Sequence, residues 1–86
     1  MIDQTSQIDR IKAILGRLGI EVREELLGGT GGGLCNVRGR RMFVLDREAD
    51  AATRLDRCLA ALLAVPEAET IYLPPDLREA IDGRRP

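Results

Sequence analysis

Five of the six residues from 28 to 33 are glycine, and this run stands directly before an apolar stretch that begins at Leu34. Glycine loses more conformational freedom on folding than any other residue, so such a run is unfavourable inside a helix or a strand. The run therefore favours a flexible loop over residues 28–33 that connects two strands. A loop that becomes ordered on meeting a partner and a loop that binds phosphate are the alternatives.

Hydrophobic periodicity predicts the other elements. Apolar residues recur every three or four positions in two long stretches and in one short one, as on one face of an amphipathic helix. Short apolar runs bounded by turn residues predict strands. In chain order, the predicted elements are a helix over about residues 4–18, a strand in IEVREELL, hairpin strands in LCNV and MFVL, a helix that Asp46 caps and that ends near Val65, a short strand in TIYL, and a helix in PPDLREAIDG that stops at Gly83.

The two hairpin strands are apolar on both sides. Gly39 in the connecting RGRR can adopt the positive φ that a tight two-residue turn needs, and side chains then alternate between the two faces of the ladder. One face is predicted to carry Cys35, Val37, Met42 and Val44, and the other Leu34, Phe43 and Leu45. Either helices cover both faces or the second face meets a partner.

The order α-β-β-β-α-β-α predicts an α+β fold: helices packed on one face of a small, mostly antiparallel sheet of three to four strands with a central hairpin. The 86 residues are enough for a single domain, residues 1–86, and residues 83–86 are predicted to form a mobile tail. Aromatic residues are limited to Phe43 and Tyr72. A core with so few large side chains is often supplemented by dimerisation.

The glycine run matches the spacing of a phosphate-binding loop, G-x-x-x-x-G, but lacks the rest of that motif. The motif continues with lysine and a hydroxyl residue and opens a helix, whose N-terminal amides hold the anion. Here Leu34 and Cys35 occupy those positions, and a strand follows. We therefore expect no cofactor and no small-molecule substrate at the loop.

The layout of a helix, three strands and a second helix over residues 1–65, with RRMFVLD leading into the second helix, resembles the core of the ImmA/IrrE-type metallopeptidases. The resemblance implies an H-E-x-x-H motif in the second helix, within a run such as L-A-H-E-L-G-H. Its two histidines and its glutamate would fall at Ala61, Val65 and Leu62, and none of these can bind zinc or activate water. The chain contains no histidine, which also removes the commonest general base. We therefore expect no metal site and no enzymatic activity.

Cys35 and Cys58 both fall on the predicted core faces of their elements, where a free cysteine behaves as a small hydrophobic residue. A reactive thiol and a disulfide are the alternatives. The N-terminal segment lacks the basic and apolar regions of a signal peptide, and no apolar run is long enough to span a membrane. We therefore expect two free thiols in a cytoplasmic protein without membrane contact.

The chain lacks a catalytic or metal-binding set of residues, and its predicted hairpin is apolar on both faces. Together these features predict a small non-enzymatic module that binds another protein or itself, as a homodimer. The predicted interaction residues are the apolar Leu34, Phe43 and Leu45 and the hairpin-tip Arg38, Arg40 and Arg41. The alternative is weak nucleic-acid binding through the three arginines. We expect nucleic acid less than protein, because the net charge is −1 and the aromatic stacking platforms typical of nucleic-acid binding are lacking.

Overall fold

A computed structural model describes residues 3–30 and 32–84 of the chain. Within these residues, helices and strands follow in the order α-β-β-β-α-3₁₀-α, which confirms the predicted α+β class. The elements are α1 (Gln4–Arg17), β1 (Glu21–Glu25), β2 (Gly32–Val37), β3 (Arg40–Asp46), α2 (Ala51–Ala64), a 3₁₀ helix (Pro66–Thr70) and α3 (Pro75–Arg84).

Aspartate side chains begin the first two helices. Asp3 accepts a hydrogen bond from the Ser6 amide at 2.7 Å, and Asp50 accepts one from the Thr53 amide, also at 2.7 Å. Both satisfy amides that have no partner inside their own helix. The cap of α2 is therefore Asp50 and not the predicted Asp46, which lies at the end of β3.

The hairpin between β2 and β3 forms as the sequence predicts. Its two turn residues, Arg38 and Gly39, have φ values of 54° and 80°, as a type I′ turn requires. Val37 lies opposite Arg40. Asn36 stabilises the turn, since its Oδ1 accepts a hydrogen bond from the Gly39 amide at 3.0 Å.

The sheet is mixed rather than mostly antiparallel. Its order is β1-β3-β2, with β3 pairing antiparallel to β2 and parallel to β1. β1 and β2 are therefore the two edge strands. The glycine run extends into this sheet, because Gly32 and Gly33 belong to β2.

The prediction of a fourth strand in TIYL is wrong, because the described residues 70–73 form no strand. Pro66 begins a 3₁₀ helix that ends at Thr70, whose hydroxyl donates to the Glu67 carbonyl at 2.7 Å. The following segment runs straight into Pro74 and Pro75. Two consecutive prolines lack the amide donors that a ladder needs, so the segment crosses the surface and anchors itself through the buried Leu73.

The core lies between the sheet and the layer formed by α1 and α2, and α3 packs on α2. As predicted, Leu77 and Ile81 of α3 face inward. Gly83 does not stop this helix, which continues to Arg84; residues 85 and 86 of the predicted tail lie outside the described residues. The buried apolar side chains are Ile8, Ile11, Ile14, Leu15, Ile20, Phe43, Leu45, Cys58, Leu59, Ala61, Leu62, Val65, Ala68, Leu73, Leu77 and Ile81.

Candidate protein-interaction surface

The sheet has a helix-covered face and a face that none of the described helices covers. Strand register decides on which face each side chain lies, because residues directly opposite each other on neighbouring strands share a face. Phe43 lies on the covered face, and Met42 precedes it on the other. We define the open face by the residues that share the side of Met42: Glu21, Arg23 and Glu25 of β1, Arg40, Met42 and Val44 of β3, and Cys35 and Val37 of β2.

Side-chain contacts confirm this division. Glu24 lies on the covered face, where its Oε1 is 3.4 Å from the Lys12 Nζ of α1 and 3.7 Å from a guanidinium nitrogen of Arg54 in α2. Its strand neighbours point the other way. Arg23 Nε lies 3.1 Å from a Glu21 carboxylate oxygen, as expected for residues two apart on one strand.

The open face has an apolar stripe next to one sheet edge. Val37 is 45% exposed and Cys35 is exposed, while Met42 and Val44 on the central strand are half-buried. Cys35 was predicted to pack in the core with Cys58. The structure places only Cys58 there, because none of the described helices covers the face that carries Cys35.

The apolar residues predicted to make contacts lie on the other face. Phe43 and Leu45 are fully buried, and Leu34 is half-buried against the same core. Folding covers these side chains with α1 and α2, so they hold the domain together and are not available to a partner. On the described strands of the hairpin, the apolar surface that the helices leave uncovered is the stripe of Cys35, Val37, Met42 and Val44.

The three hairpin-tip arginines do not form one cluster. Arg41 points to the helix side, donates to the Leu18 carbonyl at 3.1 Å and lies 2.6 Å from a Glu67 carboxylate oxygen. The hydrogen bond with Glu67 raises the pKa of Arg41 and lowers that of Glu67. Arg38 and Arg40 form no ion pair with any of the described residues.

Carboxylates already accept hydrogen bonds from the amides at the start of the glycine loop. The Leu27 amide donates to Asp46 Oδ1 at 3.0 Å, and the Gly28 amide donates to a Glu48 carboxylate oxygen at 2.9 Å. A phosphate would have to displace these groups and overcome their negative charge. The loop therefore has the wrong electrostatics for a phosphate site, and Gly31 lies outside the described residues.

Other sites offer little chemistry. Burial raises the pKa of the Cys58 thiol to about 12, so it stays protonated and unreactive near neutral pH. No cluster of potential metal ligands occurs within residues 3–30 and 32–84. A surface pocket of about 360 Å³, which sequence reasoning missed, is lined by Arg17, Leu18, Ile71, Tyr72 and Pro74.

None of the described helices combines the length and apolar character that crossing a membrane requires. Comparisons with protein-family models, with curated proteins and with solved structures gave no match.

Proposed function

We propose that this protein is a small non-enzymatic interaction module that binds another protein, or a second copy of itself, through the open face of its sheet. One observation carries the proposal: α1 and α2 cover only one side of a sheet whose hairpin strands, β2 and β3, carry apolar side chains on both sides. Apolar surface that is grouped together and rimmed by charged residues is typical of protein-binding sites.

The composition of the open face fits this role. Its apolar stripe lies beside a charged border formed by Glu21, Arg23 and Glu25 of β1. Interfaces combine an apolar centre with a polar rim, and Met and Arg are enriched in them. Met42 lies at the centre of the sheet and Arg40 at its hairpin end.

The available chemistry favours binding over catalysis. The chain contains no histidine, and the buried Cys58 is protonated, with a pKa of about 12. Two free cysteines suit a reducing compartment such as the cytoplasm, where we place the protein as part of the same proposal. Nucleic-acid binding is the weaker reading, because Arg41 is already engaged by Glu67 and by the Leu18 carbonyl.

Site-specific photo-cross-linking tests the proposal. Benzoylphenylalanine replaces either Val37 on the open face or Tyr72, which is 80% exposed elsewhere on the molecule and serves as the matched control. In cells that produce the protein, we expect adducts from position 37 and not from position 72. If the partner is a second copy, the purified protein should show the same difference. The mass of the adduct shows whether the partner is a second copy or a different protein.

Competition makes the result specific for the face. Excess unlabelled wild-type protein should suppress the adduct, whereas Val37→Lys should not, because a charge at that position opposes burial of the stripe. Equal cross-linking from positions 37 and 72, or equal competition by wild type and Val37→Lys, would overturn the proposed function.

A further inference from the structure

The two edges of the sheet differ sharply in how they are protected. Four of the five residues of β1, EVREE, are charged. β2, with the sequence GGLCNV, has no charged residue and no proline. Charged side chains and proline are the usual means by which proteins prevent an edge strand from pairing with another chain. The edge at β1 is therefore blocked, and the edge at β2 is open to a further strand.

The hairpin register identifies which peptide groups of β2 face outward. Residues that flank a two-residue type I′ turn form a hydrogen-bonded pair, and such pairs alternate with non-hydrogen-bonded ones. Val37 and Cys35 therefore direct their amides and carbonyls toward β3, opposite Arg40 and Met42. Leu34 and Asn36 direct theirs away from it. Within the described residues, no backbone hydrogen bond from elsewhere in the chain reaches these two.

We infer that a second copy of the chain adds its own β2 to this edge, antiparallel and about a two-fold axis at Cys35. The inference goes beyond the proposed function, because the backbone edge of β2, and not the open face, makes the contact. Leu34 of each copy would exchange hydrogen bonds with Asn36 of the other, extending the sheet from three strands to six. The two Cys35 side chains would then lie directly opposite each other as a non-hydrogen-bonded pair, with Cα atoms about 4.5 Å apart.

The backbone of Gly32 selects this register. A ladder centred one residue earlier, on Leu34, would pair Gly32 with Asn36 of the second copy through hydrogen bonds. Gly32 has a φ of 77°, outside the extended range that a regular ladder needs. Centring the pair on Cys35 leaves Gly32 out of the regular ladder.

Charge and helix placement are compatible with the pairing. An antiparallel arrangement brings the turn of each copy, with Arg38, to the other copy's start of β2, beside the loop that holds Glu48. α2 packs on both β2 and β3, so it lies over the boundary between them and does not project beyond the edge. The two α2 helices would then run side by side at about 10 Å, an ordinary helix-packing distance.

Opposite charges at position 35 test the register. Like charges directly opposite each other on paired strands repel, and opposite charges attract. Cys35→Lys and Cys35→Glu should each lose the dimer in sedimentation equilibrium at micromolar concentration, and an equimolar mixture should regain it as a heterodimer. Circular dichroism checks that each variant is folded, which we expect because Cys35 is exposed. As a control, Tyr72→Lys and Tyr72→Glu should each leave the dimer intact in the same sedimentation experiment.

Oxidation gives a second readout. Diamide should join the two Cys35 sulfurs, taking up two electrons and both thiol protons, because their spacing suits a disulfide. We expect this cross-link to form at least about tenfold faster than in the double variant Cys35→Ser/Tyr72→Cys, whose exposed thiol meets its copy only by collision.

Equal cross-linking rates, or a charge mixture that stays monomeric, would overturn the two-fold pairing at Cys35. The proposed function would survive that result if position 37 still yields adducts with a different protein. It would fall if position 37 cross-links no more than position 72, or if wild type and Val37→Lys compete equally.

Discussion

At the scale of single residues, Asp46 connects the glycine loop to the sheet. It is fully buried at the end of β3, and its Oδ1 accepts hydrogen bonds from the Leu27 amide at 3.0 Å and the Glu48 amide at 2.9 Å. The carboxylate thereby joins the segment that follows β1 to the turn that follows β3. A position that the sequence suggests as a helix cap is therefore a buried joint between two chain segments.

We predict that Asp46→Ala destabilises the domain by about 1–3 kcal/mol, because it leaves the part-buried amides of Leu27 and Glu48 without this acceptor. Asp46→Asn keeps an oxygen in place and should cost less. Glu48→Ala is the control and should change stability little. The Glu48 side chain is exposed, and in the described hydrogen bonds it accepts only from the Gly28 amide. Urea unfolding measures all three free energies, and an Asp46→Ala protein as stable as wild type would contradict this role.

Gly32 and Gly33 of the glycine run differ in whether a larger residue could replace them. Gly32 has a φ of 77°, and a Cβ added there would collide with the carbonyl oxygen of Val44. At Gly33 an added Cβ would meet nothing. Of these two, Gly32 is the one that requires glycine, because it combines a positive φ with close approach to a neighbouring strand.

We predict that Gly32→Ala destabilises the domain by more than about 1 kcal/mol, whereas Gly33→Ala leaves it unchanged or stabilises it by about 0.4–1 kcal/mol through the unfolded state. Thermal unfolding of the two variants compares them directly. If Gly33→Ala proves the more damaging of the two, the assignment of β2 from Gly32 onward is incorrect.

At the scale of elements, local sequence patterns are sufficient to predict a helix or hairpin when its periodicity, caps or turn residues lie within the element itself. Periodic apolar residues located α1 and α2, and the turn at Gly39 set the facing of the whole hairpin. TIYL failed because a short apolar run predicts a strand only if a neighbouring strand is available. Nothing in those four residues reveals the 3₁₀ helix before them, and the two prolines after them predict the start of a helix.

The candidate site was predictable only in part, for a similar reason. Alternation showed that the hairpin has two apolar faces, but alternation cannot show which face receives the helices. The sequence therefore could not decide between Phe43 and Val37 as surface residues. The charge contrast between β1 and β2 was visible from the start, but its meaning depends on both being edge strands, which only the sheet order reveals.

At the scale of the whole molecule, carboxylates connect or begin several elements. Hydrogen bonds from Ser6 and Thr53 lower the pKa values of Asp3 and Asp50 at the starts of α1 and α2. Arg41 lowers that of Glu67 in the 3₁₀ helix. At Asp76, partial burial acts to raise the pKa, but hydrogen bonds from Arg10 and Gln7 outweigh it and the pKa is lowered. The contact between Arg10 and Asp76 joins α1 to α3.

These shifts give the stability of the domain a predictable pH dependence. A carboxylate whose pKa is lower in the folded state stabilises the fold above its unfolded pKa, here 3.8 for aspartate and 4.5 for glutamate. That stability is lost as the pH falls through the lower folded value. Because the chain has no histidine, no side chain with an ordinary pKa titrates between about pH 5.5 and about pH 7.

We therefore predict a melting temperature that is constant from about pH 7 to about pH 5.5 and falls steadily below about pH 4. Asp76→Asn should have a lower melting temperature than wild type at neutral pH. Its melting temperature should fall less on acidification, since it no longer has this carboxylate to protonate. Glu79→Gln is the control, because Glu79 is exposed on the same helix and should leave the acid-induced loss unchanged. Scanning calorimetry across this range measures both curves. A melting temperature that changes between pH 7 and 5.5, or parallel acid losses in Asp76→Asn and wild type, would show that other groups control the pH response.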